Sequence, residues 1–112
     1  MEFFNSLSLF FIMKTGKKEL VYSLLKKVPE NNVTTYKELA KAAGTHPRAV
    51  AVFMKMNRNP EKIPCFRVVR SDGEIGGYSG PGGVKKKIEL LRKNGIDMKN
   101  GRIELEKYLH RF

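Results

Sequence analysis

The sequence holds one cysteine, Cys65, among 112 residues. A lone thiol excludes an internal disulfide and any cysteine-rich zinc site, and it fits a reducing, cytoplasmic setting. Histidine is nearly as scarce. His46 and His110 stand far apart and offer no metal-ligand spacing, so no metal is expected. Acidic side chains are few: 11 Asp and Glu oppose 22 Lys and Arg, for a formal charge of +11. A surplus of that size on one small domain points to a polyanionic partner, with nucleic acid ahead of an anionic membrane surface. Charge alone also describes a merely soluble basic protein. A long apolar run is missing as well. Phe3 to Met13 is the most apolar stretch, too short to cross a bilayer and without the basic flank of a secretory signal. No membrane association is expected. Residues 1–13 read as an N-terminal extension, either disordered or a packed arm, with Met13 an alternative start; the domain proper is expected over 14–112.

Internal repeats and low-complexity linkers are absent, and the apolar fraction of 41% is that of an ordinary globular domain. A first helix is predicted from Lys17 to Lys27, with Leu20, Val21, Leu24 and Leu25 on one face. Pro29 and Asn31-Asn32 end it. A second helix opens at Thr35, where Thr35-x-x-Glu38 is a capping box, and stops at Gly44. A third starts after Thr45, with Pro47 in its first turn, and reaches Asn57. Two short helices around a glycine turn fit a helix-turn-helix, although a generic corner of two helices shares that pattern. The third helix favours DNA, because Arg48, Lys55 and Arg58 lie in or just after it and no acid does.

Beyond Pro60 the pattern becomes extended over Cys65–Val69. Ser71-Asp72-Gly73 supplies a turn, and Glu74 to Tyr78 is predicted to return as a second strand. A glycine-rich loop follows, then an amphipathic helix over Val84–Asn94 closed by Gly95. Met98 to Leu105 reads as a small hairpin around Asn100-Gly101. The expected class is mostly α with a small β-hairpin, a winged helix-turn-helix domain.

An isolated cysteine is more often a small buried hydrophobe than a nucleophile. The setting of Cys65 argues otherwise. It lies in IPCFRVV, followed by SDGEIGGYSG and preceded by VTTYKELAKAAGTHPRAVAVFMKMN. This arrangement resembles the O6-alkylguanine-DNA alkyltransferase (methylated-DNA–protein-cysteine methyltransferase) family, in its C-terminal DNA-binding and active-site domain. The resemblance covers about Lys17 to Gly95, without a gap from the second helix to Tyr78.

That resemblance implies a monomeric DNA-repair protein acting on double-stranded DNA that carries O6-alkylguanine. The lesion is stacked inside the duplex and must be flipped out before chemistry. Cys65 would accept the alkyl group irreversibly, once per molecule, with no metal or organic cofactor. Arg48 would fill the vacated place in the stack, or serve only as a phosphate contact. Tyr36 would crowd the target phosphate, with Thr35 and Ala49 also on the DNA face. Asn57 would bridge the third helix to the active-site turn. Tyr78 would contact the guanine ring, while Pro64, Val68 and Ser79 would line the base pocket. Lys85 or Lys87 would be the family's active-site lysine; the distance to Leu90, Leu91 and Gly95 favours Lys87.

Two positions depart from the family pattern. Phe66 stands where a histidine normally helps draw the proton from the thiol, and Asn94 where a glutamate orients that histidine. An unassisted thiol has a pKa near ~8.5, which leaves a few per cent thiolate at neutral pH. Loss of a general base costs ~10²–10⁴ in rate. A second reading is therefore a lesion-recognition protein that flips and holds alkylguanine without transfer, and a third is a winged-helix regulator with an incidental cysteine. The small apolar residues Ala49, Val50, Ala51 and Val52 of the third helix suit groove packing better than the base reading a regulator needs.

Overall fold

The computed structural model describes the backbone over residues 6–112 and side chains from residue 16 onward. The first helix, α1, spans Ser6–Lys26, so it starts before the expected Lys17. Residues 1–5 of the expected N-terminal extension lie outside the described residues. The inward stripe of α1 is Val21 and Leu25, continued by Val28 just past its end, while Leu20, expected on that stripe, is exposed. Positions 21, 25 and 28 follow the helical period, whereas position 20 falls off it. The last turn tightens through i to i+3 bonds, from the Lys27 N–H to Leu24 O and from the Val28 N–H to Leu25 O, and Pro29 stops it.

Strand β1 (Thr34–Thr35) leads directly into α2 (Tyr36–Ala43). The Thr35 hydroxyl accepts the Glu38 N–H at 3.0 Å, as the capping signature requires. Gly44 closes α2 in the left-handed region at φ +71°, and the Thr45 N–H reaches back to Ala40 O at 2.8 Å. Lys17 of α1 donates to Ala43 O at 2.7 Å, which fixes α1 to this turn. Helix α3 (Pro47–Met56) follows with Pro47 in its first turn.

Cys65–Arg67 forms a single 3-10 turn rather than the start of a strand. Strand β2 is only Val68–Val69, and it pairs in parallel with β1 in the register Thr34 to Val68 and Thr35 to Val69. The predicted antiparallel return over Glu74–Tyr78 does not form. Arg70 N–H to Glu74 O and Gly73 N–H to Arg70 O make the turn. Glu74 then bridges Arg102, and Gly76 at φ +77° turns the chain away before a ladder can extend. The β-hairpin lies further on, in β3 (Met98–Lys99) and β4 (Arg102–Ile103), with Asn100 at φ +53° and Gly101 at φ +76°. Both central residues at positive φ is the arrangement an Asn-Gly hairpin turn demands. Helix α4 (Gly83–Lys93) precedes it and the short α5 (Leu105–Tyr108) follows it.

Two apolar clusters meet at β2. Val21, Leu25, Leu39, Val50, Met54, Cys65 and Val68 pack beneath the helix-turn-helix. Val33, Phe66, Val69, Ile75, Leu91, Ile96, Ile103 and Tyr108 form the second cluster beside α4. Neighbours in sequence thus face opposite cores: Cys65 with one, Phe66 with the other. Val33 ties the later chain in, since its N–H donates to Tyr108 O and its carbonyl accepts the His110 N–H.

Candidate active site and nucleic-acid interface

A cleft of about 1040 Å³ opens between the helix-turn-helix and the turn after β2. Tyr36, Ala40 and Lys41 of α2 line it, with Arg48, Ala51, Met54 and Lys55 of α3. Arg70 to Asp72 and Gly76 to Ser79 form the facing wall, and Cys65 also contributes to the lining. Cys65 is 6% exposed and belongs to the first core. Its N–H donates to Ile63 O at 2.7 Å, and the same carbonyl accepts the Asn57 amide at 2.8 Å. The Asn57 oxygen accepts the Asn59 N–H at 2.9 Å. Asn57 therefore splints the chain between α3 and the cysteine turn, using both ends of its amide.

Burial raises the Cys65 thiol above its ordinary value, and the Asn57 hydrogen bond, the Lys87 charge and its own backbone pull it back in part. The opposing Lys87 is 0% exposed. Its Nζ donates to Val68 O at 2.7 Å, Ile75 O at 2.6 Å and Gly77 O at 3.0 Å. Burial lowers its pKa to about 8, and the cysteine beside it pulls upward. Three carbonyl acceptors match the three donors of an ammonium group, so the surroundings are built for the charged form. Of the two candidate lysines, Lys87 turns inward and Lys85 is exposed.

Tyr78 packs against both cores, and burial raises its hydroxyl pKa first, the cysteine second. A Cβ added at Gly80 would stand 2.5 Å from that ring, so the ring occupies room that only glycine leaves. Ser79 donates through its hydroxyl to Met54 O at 3.4 Å, linking this loop to α3. Tyr36 is half-buried at the start of α2; burial raises its pKa, as does Cys65, and Arg70 lowers it. Arg48 is exposed on a ridge between the cleft and a shallow groove lined by His46, Ala49 and Val52.

Several expected residues are placed differently. Thr35 is buried, with its hydroxyl committed to the α2 cap, so it offers no free side chain to DNA. Val68 is fully buried in the first core, and its carbonyl accepts from Lys87. It is not among the residues lining the cleft. Pro64 is half-buried at the entry to the 3-10 turn and lies off the cleft lining. Ala49 faces the shallow groove. Phe66 sits in the second core under the Arg67 guanidinium, 4.8 Å from the ring centroid. Arg67 in turn donates to Glu30 O at 2.6 Å and Pro29 O at 3.2 Å. Asn94 caps the end of α4. The sequence reading missed Arg70, although a base just before the Ser71-Asp72-Gly73 turn was its available signal. No cluster of three potential metal ligands occurs among the described residues. Among those residues, too, no helix is long and apolar enough to cross a membrane.

A helix-turn-helix with one cysteine in a basic-rimmed cleft defines a winged-helix DNA-binding domain. A family model, described as "6-O-methylguanine DNA methyltransferase, DNA binding domain", matches residues 17–96, and the chain belongs to that family. A bifunctional methyltransferase/endonuclease of Picrophilus torridus is 47% identical over 90 residues, 79% of this chain and 30% of that protein. A methylated-DNA–protein-cysteine methyltransferase of Methanothermobacter thermautotrophicus is 42% identical over 84 residues, 75% of this chain and 47% of that protein. The chain thus spans about a third to a half of the length of these two relatives. Among solved structures, the O6-methylguanine-DNA methyltransferase of Pyrococcus kodakaraensis is 46% identical, with TM-score 0.63 over 70% of this chain and 46% of its own. S. pombe Atl1, in complex with damaged DNA containing O6-carboxymethylguanine, reaches TM-score 0.78 at 23% identity, covering 88% of this chain and 97% of its own. At that identity the match is one of fold.

Proposed function

We propose that the protein flips O6-alkylguanine out of duplex DNA and takes the alkyl group onto Cys65 in one irreversible displacement. The observation that carries this reading is the placement of Cys65 in a cleft rimmed by Arg48, Tyr36 and Tyr78, with Lys87 beside it. In the reaction the Cys65 sulfur attacks the alkyl carbon, the C–S bond forms and the C–O6 bond breaks. The leaving guanine takes up a proton, and the thiol proton is the one given up. Arg48 would hold the vacated stack and Tyr36 would crowd the target phosphate. Lys87 favours the thiolate by its charge and fixes the wall that presents Tyr78 and Ser79. The thioether product is not hydrolysed under mild conditions, so each molecule reacts once.

Recognition of the lesion without transfer is the second reading, favoured by Phe66 in the second core and by the upward shift of the buried thiol. One experiment separates the two. After incubation with a duplex containing O6-methylguanine, intact mass should rise by one methyl group, mapped to Cys65. Cys65→Ser should abolish that gain and keep DNA binding. Unchanged wild-type mass after prolonged incubation with excess duplex leaves recognition alone.

A further inference from the structure

The rim opposite α2 carries one strongly basic side chain that the roles above leave unused. Arg70 follows β2 and is fixed at the backbone, where its N–H donates to Glu74 O and its carbonyl accepts the Gly73 N–H, each at 2.9 Å. Its side chain is exposed and lines the cleft. Among the described residues no carboxylate pairs with it. Asp72, the one acid on this cleft, accepts the Glu74 N–H at 3.0 Å. Arg70 and Tyr36 flank the same glycine. A Cβ on Gly76 would lie 3.5 Å from the Tyr36 hydroxyl and 3.6 Å from Arg70 Cγ, both ordinary contacts.

We propose that Arg70 is a positioning residue that clamps a backbone phosphate beside the extruded nucleotide, from the side facing Tyr36. This rests on the base-flipping part of the proposed function and is independent of alkyl transfer. Ala40, Ala51 and Met54 make the cleft interior largely apolar, so a nucleotide entering it sends its base inward. The phosphate, its only anionic part, is then left at the rim. A guanidinium without a carboxylate partner there meets it with two parallel donors, which an ammonium lacks. Tyr36 crowds the phosphate from α2 while Arg70 receives it from the loop, so the backbone rotation is both driven and caught.

The test uses Cys65→Ser protein, so that no transfer intrudes, and duplexes with one O6-methylguanine and a fluorescent base reporting extrusion. A single neutral methylphosphonate is moved along the phosphates flanking the lesion. Arg70→Ala should weaken binding about 10–100-fold, the range of a charge-assisted hydrogen bond. It should also lower the flipped fraction and reduce the slope of log affinity against log salt by about 0.9. Arg70→Lys should recover part of the affinity and little of the flipping. The methylphosphonate at one flanking position should weaken the Arg70-containing protein by a similar factor and leave Arg70→Ala nearly unaffected. Wild-type-like binding by Arg70→Ala overturns the proposal. So do equal methylphosphonate losses in both proteins at every position. Absence of methyl gain on Cys65 in the mass experiment would sink the transfer reading and leave these affinities untouched.

Discussion

Cys65 and Lys87 are buried ionisable groups of opposite charge type, and each makes the other's charged form easier to hold. For the thiol, burial is the larger effect, so its pKa lies above the ordinary value. The transfer rate should therefore keep climbing with pH beyond ~8.5, where a free thiol begins to level off. Single-turnover rates across neutral to alkaline pH check this, and a plateau at neutral pH would contradict it. Stability follows from the same shift. An acid whose folded pKa exceeds its unfolded one holds its proton more tightly when folded. Its contribution is complete below the unfolded value and is lost as pH rises through the folded one. Lys87→Met would strand the two buried carbonyls of Val68 and Ile75, so denaturant melts should show a loss of at least ~2 kcal/mol, together with slower transfer. Phe66→His alone should also destabilise, by ~1–3 kcal/mol, because an imidazole enters an apolar core. Adding Asn94→Glu should raise the rate at neutral pH by more than the single changes imply; an unchanged rate in the folded double variant would show that proton removal uses another group.

The helices α2, α3 and α4 were legible because each carries its own local stop and start signals: Thr35, Gly44, Pro47 and Gly95 act on their nearest neighbours. The Asn100-Gly101 turn was legible for the same reason. The pairing of β1 with β2 was not, because two-residue strands 34 positions apart leave no periodic trace. Ser71-Asp72-Gly73 did form a turn, yet the strand expected after it did not, since Ile75 is drawn into the second core and Gly76 redirects the chain. At the site, Cys65 and Tyr78 could be found by motif, whereas the burial of Thr35 and Val68 depends on packing that no motif shows. Gly73 gives this scale its own prediction. It sits at φ +89°, and a Cβ there would stand 2.5 Å from Ile103 O. Gly73→Ala should cost ~2 kcal/mol or more in denaturant melts, since neither the backbone angle nor the neighbouring carbonyl can yield cheaply. For α3, Arg48→Ala should lower the flipped fraction of saturated complexes, whereas Lys55→Ala should weaken binding with normal extrusion. Equal behaviour of the two would reduce Arg48 to a phosphate contact.

Across the whole molecule the charge of +11 is the property the sequence displays most openly. Its consequence for DNA is a binding constant falling linearly with salt on logarithmic axes, by ~0.9 per phosphate neutralised. Titrations of unmodified duplexes at several salt concentrations should show this with little sequence preference. A flat salt response would remove the electrostatic basis of binding.

The lysine knot at the cleft also orders events in time. Lys87 takes its acceptors from positions 10, 12 and 19 residues earlier. Thr34 bonds to His110 across 76 positions. A chain emerging N-terminus first from the ribosome can assemble α2 and α3 as soon as they clear the tunnel. The thiol emerges next, still without the ammonium that tunes it or the wall that will shelter it. Until α4 arrives, Cys65 can pack against the first core, whose helices precede it, but lacks the Lys87 ammonium. A nascent chain would thus present its helix-turn-helix before its thiol is electrostatically tuned. Slow translation between codons 65 and 87 would lengthen the interval in which the thiol stands without that ammonium.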